Sequence, residues 1–172
     1  MARSDKIDHV GVAPGPDGRL WLFWSHGDGY LVTRSNRAAT RFESVTRVDL
    51  PATDATTFGL YGEGTAGPLD LVAHAGSGSV IPDWHTQVLP RPSLAVLSSR
   101  TEKRGKRIVR RLELRVTDAG DAVGGVRITI AGKKFTTASS GRVIAVLPVA
   151  DRQVNATATK RGYEPVTLRV RV

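Results

Sequence analysis

Apolar and polar residues alternate from Arg111 to Val172, and turn residues interrupt them at short intervals. Side chains alternate faces along a strand, so Leu112, Leu114 and Val116 share one face while Arg111, Glu113 and Arg115 share the other. Val126, Ile128 and Ile130 repeat the pattern, and Val166, Leu168, Val170 and Val172 close it. The spacing predicts half-buried antiparallel strands in paired sheets. The first half reads as strands too: His9 to Val12, an unbroken apolar run from Leu20 to Trp24, Tyr30 to Thr33, and Val45 to Leu50. Pro14-Gly15-Pro16-Asp17-Gly18 and Gly27-Asp28-Gly29 supply the turns. Apolar residues on both faces of the Leu20–Trp24 strand imply that both faces are covered. Four hairpin-linked strands make a unit of about 40 residues. A second, weaker unit follows, with strands at Phe58 to Tyr61, Leu69 to Ala73 and Trp84 to Leu89. The two units end alike, in VDLP at 48–51 and QVLP at 87–90.

Charge divides this all-β chain. Residues 1–90 hold 7 Lys/Arg and 10 Asp/Glu, a net −3, whereas residues 91–172 hold 18 and 6, a net +12. The step places a domain boundary at Pro90-Arg91-Pro92, where two residues lacking a backbone donor favour an extended linker. Seven cations crowd RTEKRGKRIVRR: Arg100, Lys103, Arg104, Lys106, Arg107, Arg110 and Arg111, with Glu102 as the segment's acid and Gly105 as its hairpin tip or exposed loop. Such a stripe fits a polyanion partner, a nucleic acid or an acidic glycan. The plainer reading is a solvated turn between two strands, and no aromatic residue is interleaved for base stacking. The absence of Cys rules out disulfides and thiolate metal ligands. No apolar run approaches the roughly 20 residues of a membrane-spanning helix. The start MARSDKIDHV has no apolar signal region, so either the protein stays inside the cell or its leader lies elsewhere.

Two resemblances refine this picture. Val116-Thr117-Asp118, Gly124-Gly125, Gly132-Lys133, Thr136-Thr137 with Gly141, Leu147-Pro148, Ala156-Thr157-Ala158-Thr159 and Lys160-Arg161-Gly162-Tyr163 occur in one order. That order resembles bacterial Ig-like and carboxypeptidase-regulatory-like domains. The resemblance implies a C-terminal Ig-like β-sandwich over 91–172, used as a spacer, stalk or interaction module. Tyr163 is expected to close one end of the core with its hydroxyl on a backbone partner. Ile128 and Leu168 are expected core residues. In the first half, YLVTRSNRAATRFESVTRV is similar to the third-to-fourth-strand region of sialidase-type (BNR, Asp-box) propeller blades, whose pattern is Ser-x-Asp-x-Gly-x-Thr-Trp. Ser35 and Phe42 fit, while Asn36-Arg37-Ala38-Ala39 replaces the Asp and Gly that brace the turn. Residues 1–90 are then either about two antiparallel propeller-like blades, the end of a larger propeller, or a small self-contained β-sandwich. Together the resemblances imply a secreted or cell-surface bacterial protein. Its partners would be surface glycans or other domains of the same polypeptide.

Catalytic chemistry is sparse. Asp70 with His74, and Asp83 with His85, are conceivable acid–base or metal pairs, but a third ligand is missing from the spacing. Tyr61-Gly62-Glu63 is similar to the Tyr/Glu partnership of sialidases, without the arginine cluster that family uses. Asn155-Ala156-Thr157 matches a glycosylation sequon. Trp21, Trp24 and Trp84 either line a sugar-binding face or pack between strands. The expectation is a non-enzymatic binding or structural module with no cofactor and no metal.

Overall fold

The computed structural model describes residues 7, 9–27, 29–49, 56–76, 82–150 and 153–172. Asp28 of the first hairpin turn and Leu50-Pro51 at the end of the first repeat lie outside them. The described residues form fifteen strands and one 3-10 turn, Pro16–Gly18, and no helix among them is long and apolar enough to cross a membrane. The fold is all-β. The chain divides into two compact units, residues 1–90 and 91–172.

The first unit contains two antiparallel meanders. One is β1 (Val10–Pro14), β2 (Leu20–His26), β3 (Gly29–Arg34) and β4 (Thr46–Asp49), in that order. The other is β5 (Thr56–Glu63), β6 (Leu69–Gly76) and β7 (Asp83–Val88). They share a core of Ala13, Trp21, Phe23, Tyr30, Val32, Leu69, Leu71, Ala73 and Val88. Close approach rests on glycine: a Cβ on Gly11 would lie 2.1 Å from the Phe23 ring, one on Gly62 2.6 Å from it, and one on Gly64 2.4 Å from the Trp21 ring. Alternation along β2 sends Trp21 and Phe23 inward and Leu22 and Trp24 outward. The outward row includes Val10 and Val12, 68% and 59% exposed, so the apolar residues on that face are only half covered within the chain.

The turn after β3 is braced by Asn36. Its Oδ1 accepts from the backbone N–H of Thr40 (2.9 Å) and Arg41 (3.1 Å). Ser35 and Phe42 form an isolated bridge, and Ala39 adopts φ 53°, the left-handed region that favours glycine. A side-chain amide thus braces this turn, and Ala39 holds a left-handed backbone with some strain.

The second unit encloses one core between two sheets. The first holds β8 (Ser93–Arg104), β9 (Arg107–Asp118), β13 (Arg142–Pro148) and the short β10 (Asp121–Ala122); β9 is central, with β8 on one side. The second runs β12 (Lys133–Thr136), β11 (Arg127–Ile130), β14 (Gln153–Thr159), β15 (Val166–Arg171). Leu112, Leu114, Val116, Ile128, Ile130, Ala145, Leu147, Ala156 and Ala158 are each at most 1% exposed. These are the alternate positions of their strands, as the period of two requires. Burying a Leu or Ile contributes about 1.5–3 kcal/mol, so this row is the main source of the unit's stability. Leu168 is half-buried and packs against the core from the sheet-edge strand β15. The Tyr163 hydroxyl donates to Asp118 Oδ2 at 3.1 Å, because β9 ends with the Asp118 side chain turned inward at 0% exposure.

Candidate anion-binding face

The basic segment is a paired hairpin rather than a loop. β8 and β9 each run twelve residues, and the pairing continues to Arg104↔Arg107 around the two-residue turn Gly105-Lys106. Gly105 holds φ 59°, which a tight two-residue hairpin turn demands. β13 pairs with β9 only from Arg115 to Val109, so the hairpin tip extends past its neighbour.

Strand alternation sorts the seven predicted cations. Arg100, Arg104, Arg107 and Arg111 fall on the face opposite Leu112 and Leu114. Lys103 and Arg110 fall on the core-side face, and Lys106 sits in the turn. Two further arginines join the outer face: Arg115, from the same strand, and Arg142, brought opposite it by β13. The register therefore sets three arginine pairs directly across from one another: Arg104↔Arg107, Arg100↔Arg111 and Arg115↔Arg142. Along β9 they recur every four residues, about 13 Å apart at the strand rise.

Two acids stand between these pairs. Glu102 lies 2.8 Å from Arg100, 3.8 Å from Arg104 and 3.9 Å from Arg111. Glu113 accepts from Arg142 Nη1 at 3.0 Å and from Ser98 Oγ at 3.4 Å. Each acid fixes the guanidinium groups around it without neutralising them: the face carries six arginines against two glutamates. Arg115 Nε is buried with no hydrogen-bond partner among the described residues. Such a face suits a carboxylate, sulfate or phosphate, which accept the guanidinium fork in bidentate geometry.

The other candidates scatter. Trp21 is 1% exposed with the Arg34 guanidinium 5.1 Å over its ring, so it presents nothing to a sugar. Trp84 is half-buried against the first unit's core and lines a small cleft of ≈ 150 Å³ with Tyr30, Val48 and Leu71. Trp24 lies half-buried on the outward face of β2 between Val10 and Leu31. The three tryptophans share no surface. The His/Asp couples form across a hairpin instead of along a strand: His74 Nδ1 lies 2.8 Å from Asp83 Oδ1, and His85 Nε2 lies 3.4 Å from Asp70 Oδ1. Among the described residues, no three His, Asp or Glu converge as a metal site would require. Glu63 turns to the Thr65 backbone N–H at 2.7 Å, and the hydrogen bonds from Thr65 hold its carboxyl below the usual range. No protein-family model, curated protein or solved structure matches this chain.

Proposed function

We propose that the chain is a non-catalytic binding module of a secreted or cell-surface bacterial protein, in which an Ig-like sandwich over 91–172 holds an anionic polymer on its arginine face. The observation that carries this reading is the set of three arginine pairs facing one another across the strands. Like charges directly opposite destabilise a sheet, by about 0.2–1 kcal/mol a pair. A bound anion between each pair reverses the sign of that term. The pairs repeat at a fixed spacing along one strand, which fits an extended polymer better than a compact ion. Beside Glu102, Glu113 and Ser98, the side chains interleaved with the arginines on the outer face are Ala95, Val109, Ile144 and Val146, with no aromatic ring for stacked bases. That favours an acidic glycan over single-stranded nucleic acid.

Comparing elution from heparin and from single-stranded DNA supports tests the proposal. The triple variant Arg104→Glu, Lys106→Glu, Arg107→Glu is expected to leave both at much lower salt, and the native chain to hold heparin more tightly than DNA. Unchanged retention of the variant on both supports sinks the proposal; stronger retention on DNA would turn it toward nucleic acid. For residues 1–90, the Ser35–Phe42 bridge, closing a turn braced by Asn36 with Ala39 at positive φ, supports the reading as sialidase-type blades.

A further inference from the structure

The outer face of β5, β6 and β7 has a different chemistry. The register stacks three rows across these strands: Gly59, His74 and Asp83; Tyr61, Val72 and His85; Glu63, Asp70 and Gln87. Tyr61, in the middle row, is 67% exposed. A Cβ at Gly59 would fall 3.0–3.3 Å from three atoms of the Tyr61 side chain, so the tyrosine leans back over the glycine instead of standing out from the sheet. Around it lie exposed hydrogen-bonding groups already held in place: Asp83 by His74, Asp70 by His85 at 3.4 Å and by Gln87 Nε2 at 3.2 Å.

The charge of this region excludes the polymer suited to the arginine face. Between Arg47 and Arg91 the sequence contains no Lys or Arg, and the three rows carry Glu63, Asp70 and Asp83. The carboxylates repel an anion, and the exposed Tyr61 ring with the hydrogen-bonding side chains beside it suits a ligand that is flat on one side and rich in hydroxyls at its edge. A pyranose ring meets all three conditions: its C–H face packs on an aromatic ring, and its hydroxyls donate to carboxylates and exchange hydrogen bonds with imidazole and amide. An open sheet surface, rather than a pocket, suits a chain of sugars.

We infer that the outer face of β5–β7 binds a neutral polysaccharide, with Tyr61 as the stacking platform and Asp70, Asp83, His85 and Gln87 as its polar rim. This site is independent of the arginine face. It also moves the aromatic contact away from Trp21 and Trp84 to a tyrosine that the sequence pattern did not single out for it.

Co-sedimentation with insoluble cellulose, chitin, xylan and mannan tests the inference. At about 1 M NaCl the Debye length is ~3 Å, and charge-driven adsorption of a basic protein is suppressed. The native chain is expected to be depleted from solution by at least one of the four. Tyr61→Ala should weaken that binding about tenfold, the loss of one aromatic contact of roughly 1.4 kcal/mol. Tyr61→Trp should preserve or strengthen it, and the arginine triple variant should bind as the native chain does. Because Tyr61 is exposed, both Tyr61 variants should melt as the native chain does. No depletion by any of the four, or equal depletion with Tyr61→Ala, overturns the inference.

Discussion

Arg107→Glu separates a surface built for a ligand from one built for stability. Arg107 faces Arg104 at the last paired position of the hairpin, and both are exposed. Two like charges about 7 Å apart in water repel by about 0.6 kcal/mol before screening. At physiological ionic strength the Debye length is about 8 Å, which leaves roughly 0.2–0.3 kcal/mol. Reversing one sign turns that cost into a gain of the same size, so the second unit should become more stable by about 0.5 kcal/mol, within the range of cross-strand pairs. For a domain of this length the shift in Tm is about 2–4 °C. Calorimetric melts at low and physiological salt would show the rise, and in about 1 M NaCl, with a Debye length of ~3 Å, it should vanish. The same variant should lose heparin retention, and Arg107→Gln should give about half of each effect. A lower Tm, or a rise that persists in high salt, would refute the reasoning that the paired arginines oppose one another in the free protein.

Three further outcomes follow from the packing. Gly11→Ala places a methyl group 2.1 Å from the Phe23 ring and should destabilise the first unit by about 1–3 kcal/mol, as overpacking does, measurable by urea unfolding. Tyr163→Phe removes a hydrogen bond to the buried Asp118 carboxylate and should lower the second unit's stability by about 1.5–3 kcal/mol, whereas Ile128→Ala should cost about 2–5 kcal/mol and Leu168→Ala distinctly less. Burial raises the Tyr30 phenol above its ordinary 10.0, with a smaller opposing effect from its hydrogen bond to Thr57. The neutral phenol is therefore the form that the fold favours. Its contribution is complete below the unfolded value near 10 and is lost as pH rises through the folded one, so alkaline melts should show the first unit weakening there and Tyr30→Phe flattening the fall.

Strand identity was legible because it depends on nearest neighbours in sequence. Leu112, Leu114 and Val116 announced β9, and Val126, Ile128 and Ile130 announced the strand at 127–130, since a period of two needs only a few residues to appear. Pairing depends on residues far apart, and here the sequence ran out. It placed Arg111, Glu113 and Arg115 on one face, but nothing local shows that β13 sets Arg142 opposite Arg115. Nor did it show that RTEKRGKR would stay in register to the turn, which splits one basic run between two faces. The His/Asp couples were misassigned for the same reason. Strand geometry permits contact along a strand at i and i+2, but a directly opposed residue is closer, so Asp83 pairs with His74 rather than His85. Tyr163 found a carboxylate because Asp118, in a motif otherwise read as a strand end, points into the core.

The salt dependence of binding is the most direct test of the arginine face. Anisotropy of a fluorescently labelled, single-stranded oligonucleotide or heparin fragment, titrated with the full chain across a range of NaCl, gives the slope of log K against log salt. If four to six arginines each displace a counterion, the slope for a single strand is about −3 to −4, and replacing Arg104, Arg107 and Arg111 with Gln should bring it about 2 closer to zero. A slope near zero for the native chain, or one that the three substitutions leave unchanged, would contradict the account.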